Sequence, residues 1–253
     1  MSKIDLNADL GEGESTDAEL LSIVTSCNIA CGGHAGNESS MRDTIVMALQ
    51  AGVAIGAHPS YPDAQGFGRR SGFLAGEALY ESLTAQVTIF SDIACELGAT
   101  MTHIKPHGAL YNDAAADPAL ADILARVCDE AHGHVVLVGP PASALQAAAS
   151  SHGIGFVAEG FIDRLYAASG SLVPRARKDA VHSGIDRVAA QALSIAAEHN
   201  VISEAGASIP LRADTLCIHG DTPGAIDAAR TVRRILESNG IEVAAINGGG
   251  RRG

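Results

Sequence analysis

The 253-residue chain is predicted to fold as an α/β protein, specifically a seven-stranded parallel β/α barrel, and three observations lead there. Strand-like apolar runs alternate with segments of helical apolar spacing along the chain, the pattern of a parallel sheet covered by helices. There are seven such runs. Six of them end in a side chain that can bind a metal or move a proton: Asp9, His34, His58, His107, Glu159 and His219, each followed closely by glycine, proline or a small polar residue. In a closed barrel those ends converge on the rim where such folds keep their chemistry, which favours a barrel over an open doubly wound sheet.

The strand-like runs lie near 3–8, 24–31, 53–58, 102–106, 134–138, 154–158 and 214–219. Helical spacing fills 38–51, 75–98, 117–131, 141–151, 184–200 and 223–239. Asp117-Pro118 and Thr222-Pro223 read as helix starts, and Gly52, Gly98, Gly153 and Gly240 as helix ends. Successive side chains of a strand face opposite ways. Ile4, Leu6 and Ala8 therefore take one face, and Asp5, Asn7 and Asp9 the other. His103, Lys105 and His107 share a parity, as do Thr215, Cys217 and His219. A barrel with this pattern has a polar interior near one end. Two connections, 59–72 and 161–183, exceed what the alternation needs and read as lids or binding loops.

Composition narrows the function. Hydrophobic residues make up 47% and charged residues 18%, an ordinary globular balance, so a single domain over 1–247 with a disordered tail at 248–253 is expected. The net charge of -12 argues against a nucleic-acid or anionic-membrane partner. Neither a secretory leader nor a bilayer-spanning stretch is visible, which gives an expected cytoplasmic location. Five scattered cysteines make no disulfide framework, and Cys27 and Cys31 read as buried small hydrophobes.

Chemistry concentrates in a few blocks. Asp9, His34 and His58, from successive strand ends, suit one divalent metal, against the plainer reading of histidines that only bond backbone. In KPHGALYN, Lys105 is a candidate for a lowered pKa or for anion binding, or alternatively an ion-pair partner of Asp5, Asp9 or Glu159. His107 is a candidate acid or base, with Tyr111 and Asn112 as supporting partners. Arg69 and Arg70 in GFGRR suit a carboxylate or phosphate, or equally a solvated face or a contact between protomers, homo-oligomeric ones included. Glu159 reads as a general base, while Asp163 and Arg164 can bridge each other. Asn7, His103, Arg164 and His219 complete the candidate substrate contacts, and Asp221 reads as a helix cap. His132, His134, His152, His182 and His199 read as surface or structural, and no Walker A sequence occurs.

DLNADLGE, NIACGGHAG, GAHPSYPD, GFGRR, KPHGALYN, EGFIDRLY, LVPR and HGDTP, in that order, closely resemble the LamB/YcsF family of 5-oxoprolinase components across nearly the whole chain. The sequence departs from the family at Asn37-Glu38, where Asp-Pro is common, and in Lys178–His182. The resemblance implies a seven-stranded barrel akin to the glycoside hydrolase/deacetylase superfamily. It further implies ATP-dependent opening of 5-oxoproline to glutamate, with Mg2+ accompanying ATP, by an enzyme that includes subunits B and C. A lactam is a stable amide, so its carbonyl must be activated before water can open the ring; His107, Glu159, Lys105 and Asp9 are the candidates for that work. Two other readings compete: a stand-alone metal-dependent deacetylase of an N-acetylated sugar, and a non-catalytic binding component.

Overall fold

The computed structural model describes residues 2–182, 184–220 and 224–245. Parity along the first strand decides the architecture: β1 (Lys3–Leu10) turns Leu6, Ala8 and Leu10 to an apolar layer and Asp5, Asn7 and Asp9 to the other side. Then follow α1 (Asp17–Leu21), β2 (Ser26–Ala30), α2 (Glu38–Ala51), β3 (Ala54–His58), α3 (Gly76–Glu96) and β4 (Met101–Ile104). Next come α4 (Gly108–Ala116), α5 (Pro118–Glu130), β5 (Val136–Gly139), α6 (Ala144–His152) and β6 (Gly155–Phe161). The chain continues through α7 (Ile185–Leu193), β7 (Asn200–Ile202), β8 (Ser208–Pro210), β9 (Thr215–Cys217), α8 (Ala225–Ser238) and β10 (Glu242–Val243).

Strands β1 to β6 pair in sequence order, all parallel, and β9 closes the ring by pairing with both β6 and β1. Thr215 is the closing residue, opposite Glu159 on one side and Asp5 on the other. The result is a closed seven-stranded parallel barrel, with β10 a short addition beside the start of β1. β7 and β8 form a separate antiparallel hairpin.

The main core lies between strands and helices, while the barrel interior is largely polar. Asp5 accepts from the hydroxyls of Thr25 and Ser26, at 2.7 Å each, and of Thr215. Burial raises its pKa, and the three hydroxyl donors only partly oppose that rise. One level up, the Asn28 amide donates to Asn7 at 2.9 Å and its oxygen meets His103 Nε2 at 2.8 Å. Gly56 makes this layer possible: a Cβ there would lie 2.3 Å from the His103 ring. Val136, Val138 and Val157 form a small apolar cluster of their own beside this polar column.

Several expectations need revision. The KPHGALYN block, a polar cluster just after a strand and outside the expected helices, contains the start of α4, whose first residue Gly108 has φ 58 and sits where a Cβ would lie 2.7 Å from the Gly68 carbonyl oxygen. The helix expected over 184–200 stops at Leu193, runs through one π turn at Ser194–Glu198, and reverses at left-handed His199 into β7. At the family departure, Asn37 still caps α2, accepting from Ser39 and Ser40 amides at 2.9 and 3.1 Å. Asp221 and the Thr222-Pro223 start lie outside the described residues, as does the tail at 248–253. Among the described residues no helix is long and apolar enough to cross a membrane.

Candidate active site

The strand ends meet at one rim, and their side chains sort into two groups. The first surrounds Lys105, just beyond β4 and only 2% exposed. Its ammonium lies 2.9 Å from Asp9, 2.8 Å from Glu159 and 3.2 Å from Cys217 Sγ. Burial alone would discharge it; the charges of Asp9 and Glu159 outweigh that and hold its pKa well above the ordinary value. Lys105 is thus a fixed cation, and the expectation of a lowered pKa is corrected. Asp9 is correspondingly held well below the carboxylate range, burial notwithstanding, by His58 and Lys105.

Glu159 uses one oxygen for Lys105 and for the Asn7 amide at 3.0 Å. Its other oxygen and the Tyr111 hydroxyl are both buried without a well-formed hydrogen bond, although the two side chains interact with each other. Burial and then the charge of Glu159 raise the Tyr111 hydroxyl well above its ordinary value. A buried acceptor and a buried hydroxyl left unsatisfied are costly unless a ligand or water completes them. Phe161 joins this group, with its ring 5.4 Å from the Lys105 ammonium, edge-on to Tyr111 and stacked on His219. Asp163 accepts from His219 Nδ1 at 2.8 Å and from the His219 amide at 3.1 Å, so it orients His219.

The second group is histidine-rich. Glu12, two residues beyond β1, reaches back over the rim to within 2.8 Å of His34 Nε2, 3.3 Å of His107 Nδ1 and 3.8 Å of His58 Nε2. Burial would raise the Glu12 carboxyl, but its bonds to His107 and His34 hold it below the usual range. Burial lowers His34 to about 4, against the pull of Glu12, and also lowers His107. The pKa of His58 is instead raised, because Asp9 outweighs burial. The His34 and His107 rings stack in parallel at 3.5 Å, and Phe67 packs edge-on against both. Loop 59–72 brings Phe67 there: Gly68 has φ 61, and a Cβ on it would lie 2.9 Å from the His107 ring.

Four ligand atoms, from Glu12, His34, His58 and His107, lie within 4.8 Å of one another, and a second such group is Asp9, Cys217 and His219. The rim therefore holds a cluster able to bind a divalent metal, but the set differs from the expected one. Asp9 spends Oδ1 on Lys105 and Asn28 and keeps Oδ2 3.4 Å from His58 Nε2, while Glu12 and His107 join His34 and His58. Glu12 escaped the sequence reading; a carboxylate between two glycines at a strand end was its only signal.

Other candidates are placed elsewhere. His103 lies deeper, bonded to Asn28 and Thr102, and burial lowers it to about 3. Asn112 is exposed and donates to the Gly108 carbonyl, so it does not face the site. Arg70 is committed to Asp63, whose other bond caps the turn at Gly66. Arg69 lies over the Phe67 ring at 4.8 Å. Arg164 donates to the Val173 and Ala180 carbonyls and braces the 161–182 connection, while Asp163 pairs with His219.

A polar-lined β/α barrel with acid–base and metal-binding side chains gathered at one rim defines the class. The chain belongs to the LamB/YcsF family, which it matches over residues 4–250. It is 44% identical over 247 residues, 96% of this chain and 98% of the relative, to the A component of 5-oxoprolinase from Bordetella parapertussis. Its fold matches the crystal structure of a lactam utilization protein from Thermus thermophilus at TM-score 0.90, with 37% identity and coverage of 96% of this chain and 100% of that one. A peptidoglycan deacetylase from Bacillus subtilis, 14% identical with TM-score 0.50 over 97% of this chain and 88% of that one, shares the barrel fold alone.

Proposed function

We propose that this chain is the A component of a multi-subunit 5-oxoprolinase, which opens 5-oxoproline to L-glutamate with hydrolysis of Mg2+-bound ATP in concert with subunits B and C. The observation that carries this reading is the near full-length 44% identity to a protein of that name. The Lys105 group supports it chemically. A buried ammonium with a carboxylate oxygen and a hydroxyl beside it suits a small ligand that carries an amide and develops negative charge. In this proposal Lys105 faces the lactam oxygen as charge builds on it, or a phosphate carried there. Glu159, through its other oxygen, acts as the base, Tyr111 and His219 line the ligand, and Arg69 receives an anionic group. ATP supplies the activation of the lactam carbonyl that precedes attack by water. A substrate and a product that are both small soluble metabolites suit an enzyme of the cytoplasm.

The test is glutamate release from 5-oxoproline, with and without ATP, by this chain alone and mixed with the two partner components. Turnover is expected only in the complete mixture with ATP. Glu159→Gln lowers it by ~10²–10⁴, the range for loss of a positioned base, while Asn112→Ala leaves it unchanged. ATP-independent hydrolysis of an acetylated sugar by the isolated chain would replace this reading with that of a deacetylase.

A further inference from the structure

The histidine group contains a contradiction in its protons. The Nδ1 of His58 lies 2.8 Å from the Lys105 carbonyl oxygen, and the Nε2 of His107 lies 3.0 Å from the Phe67 carbonyl oxygen. A carbonyl can only accept, so each of these nitrogens carries its ring's proton. The remaining nitrogens, His58 Nε2 and His107 Nδ1, then point their lone pairs at each other across 3.0 Å. Glu12 Oε1, a third bare acceptor, stands 3.3 Å from one and 3.8 Å from the other. Electron-rich atoms this close require a positive species among them, either an extra proton or a metal ion.

Spacing and charge favour the metal. Ligands bound tetrahedrally to zinc at ~2.0–2.1 Å lie roughly 3.4 Å apart. The distances here, 2.8 Å from Glu12 to His34, 3.0 Å between His58 and His107, and 3.3 and 3.8 Å from Glu12 to His107 and His58, bracket that edge. Asp9 Oδ2 adds a neighbouring oxygen at 3.4 Å from His58 Nε2. Across both groups the carboxylates of Asp9, Glu12 and Glu159 crowd together and favour a bound cation. The backbone carbonyls on His58 and His107 are the outer partners that fix metal-binding imidazoles in orientation.

The alternative set of Asp9, Cys217 and His219 does not compete. The Lys105 ammonium already sits 2.9 Å from Asp9 and 3.2 Å from Cys217, so a cation belonging to the chain itself fills that place.

We propose that Glu12, His34, His58 and His107 form a site for one divalent transition metal of the zinc class. Three imidazoles and one carboxylate suit such an ion, whereas the Mg2+ that travels with ATP prefers oxygen ligands. The ion ties together the ends of β1 to β4, so binding also raises thermal stability. The proposal stands apart from the 5-oxoproline reading, because its readout is binding and not turnover.

The test is a titration of the chelator-stripped chain with Co2+, followed by its visible d–d absorption, with the melting temperature measured in parallel with Zn2+. The wild type is expected to bind a single equivalent and to melt higher. Glu12→Gln and His107→Gln, which preserve size and polarity, weaken binding at least about tenfold, the loss that removal of even an outer partner produces. Circular dichroism checks that each variant is folded, His34→Gln replaces either one that is not, and exposed Cys95→Ser binds as the wild type does. Absence of d–d bands and of stabilisation in the wild type would assign the gap to a proton and overturn the proposal. Binding of wild-type strength in both ligand variants would overturn it as well.

Discussion

The two halves of the rim solve the same electrostatic problem in different ways. Around Lys105 the cation is part of the chain: buried Asp9 and Glu159 share an ammonium carried just beyond β4. Around Glu12 the donors converge with comparable closeness, four ligand atoms within 4.8 Å of one another. A group with its own cation holds its charge without a bound ion. One that gathers lone pairs around a gap is complete only when something else arrives. The contrast separates a group that places fixed charge beside a ligand from a group that is itself a binding site.

Breaking the first half should have the larger effect. Lys105→Met strands Asp9 and Glu159 in a buried environment, and removal of one partner from a buried pair costs ~3–5 kcal/mol. Urea unfolding of the metal-free protein measures the loss. Glu12→Gln in the same assay costs clearly less, because a glutamine oxygen can still accept from His34. Equal losses would mean that the halves do not differ in this way.

A smaller effect sharpens the comparison from below. His103 lies beneath the Lys105 group, near Lys105, His58 and Asp9, and burial lowers it from 6.5 to about 3. Between those values the unfolded chain binds a proton at this residue and the native chain does not. Native stability therefore declines as pH falls from 6.5 toward 3, by up to about 1.4 kcal/mol per pH unit for one such proton. In His103→Gln the slope is shallower by that contribution, as urea unfolding across the window reads out. Identical slopes would show that His103 is protonated in the native protein.

How much of this was legible in the sequence follows from what each residue type reveals. The barrel and its polar lining were legible because parity along a strand is strict: Asp5, Asn7 and Asp9 had to share a face, as did Thr215 and Cys217. The convergence of His34, His58 and His107 followed from the barrel topology. Glu12 was not legible, because it lies beyond β1 after the left-handed turn at Gly11, where strand parity no longer applies. Nor was the direction of Asn112: without α4 in view, nothing showed that it lies about 100° around a helix from buried Tyr111. Lys105 admits two readings in the sequence, and distance decides between them. A buried ammonium between two carboxylates keeps its charge.

The most direct test of the two-part rim is a crystal structure of the Zn2+-loaded chain with anomalous scattering recorded at the zinc edge. The account predicts one peak among Glu12, His34, His58 and His107, with the Lys105 ammonium still between Asp9 and Glu159. A peak at Asp9, Cys217 and His219 with Lys105 displaced, or none at the rim, would contradict it.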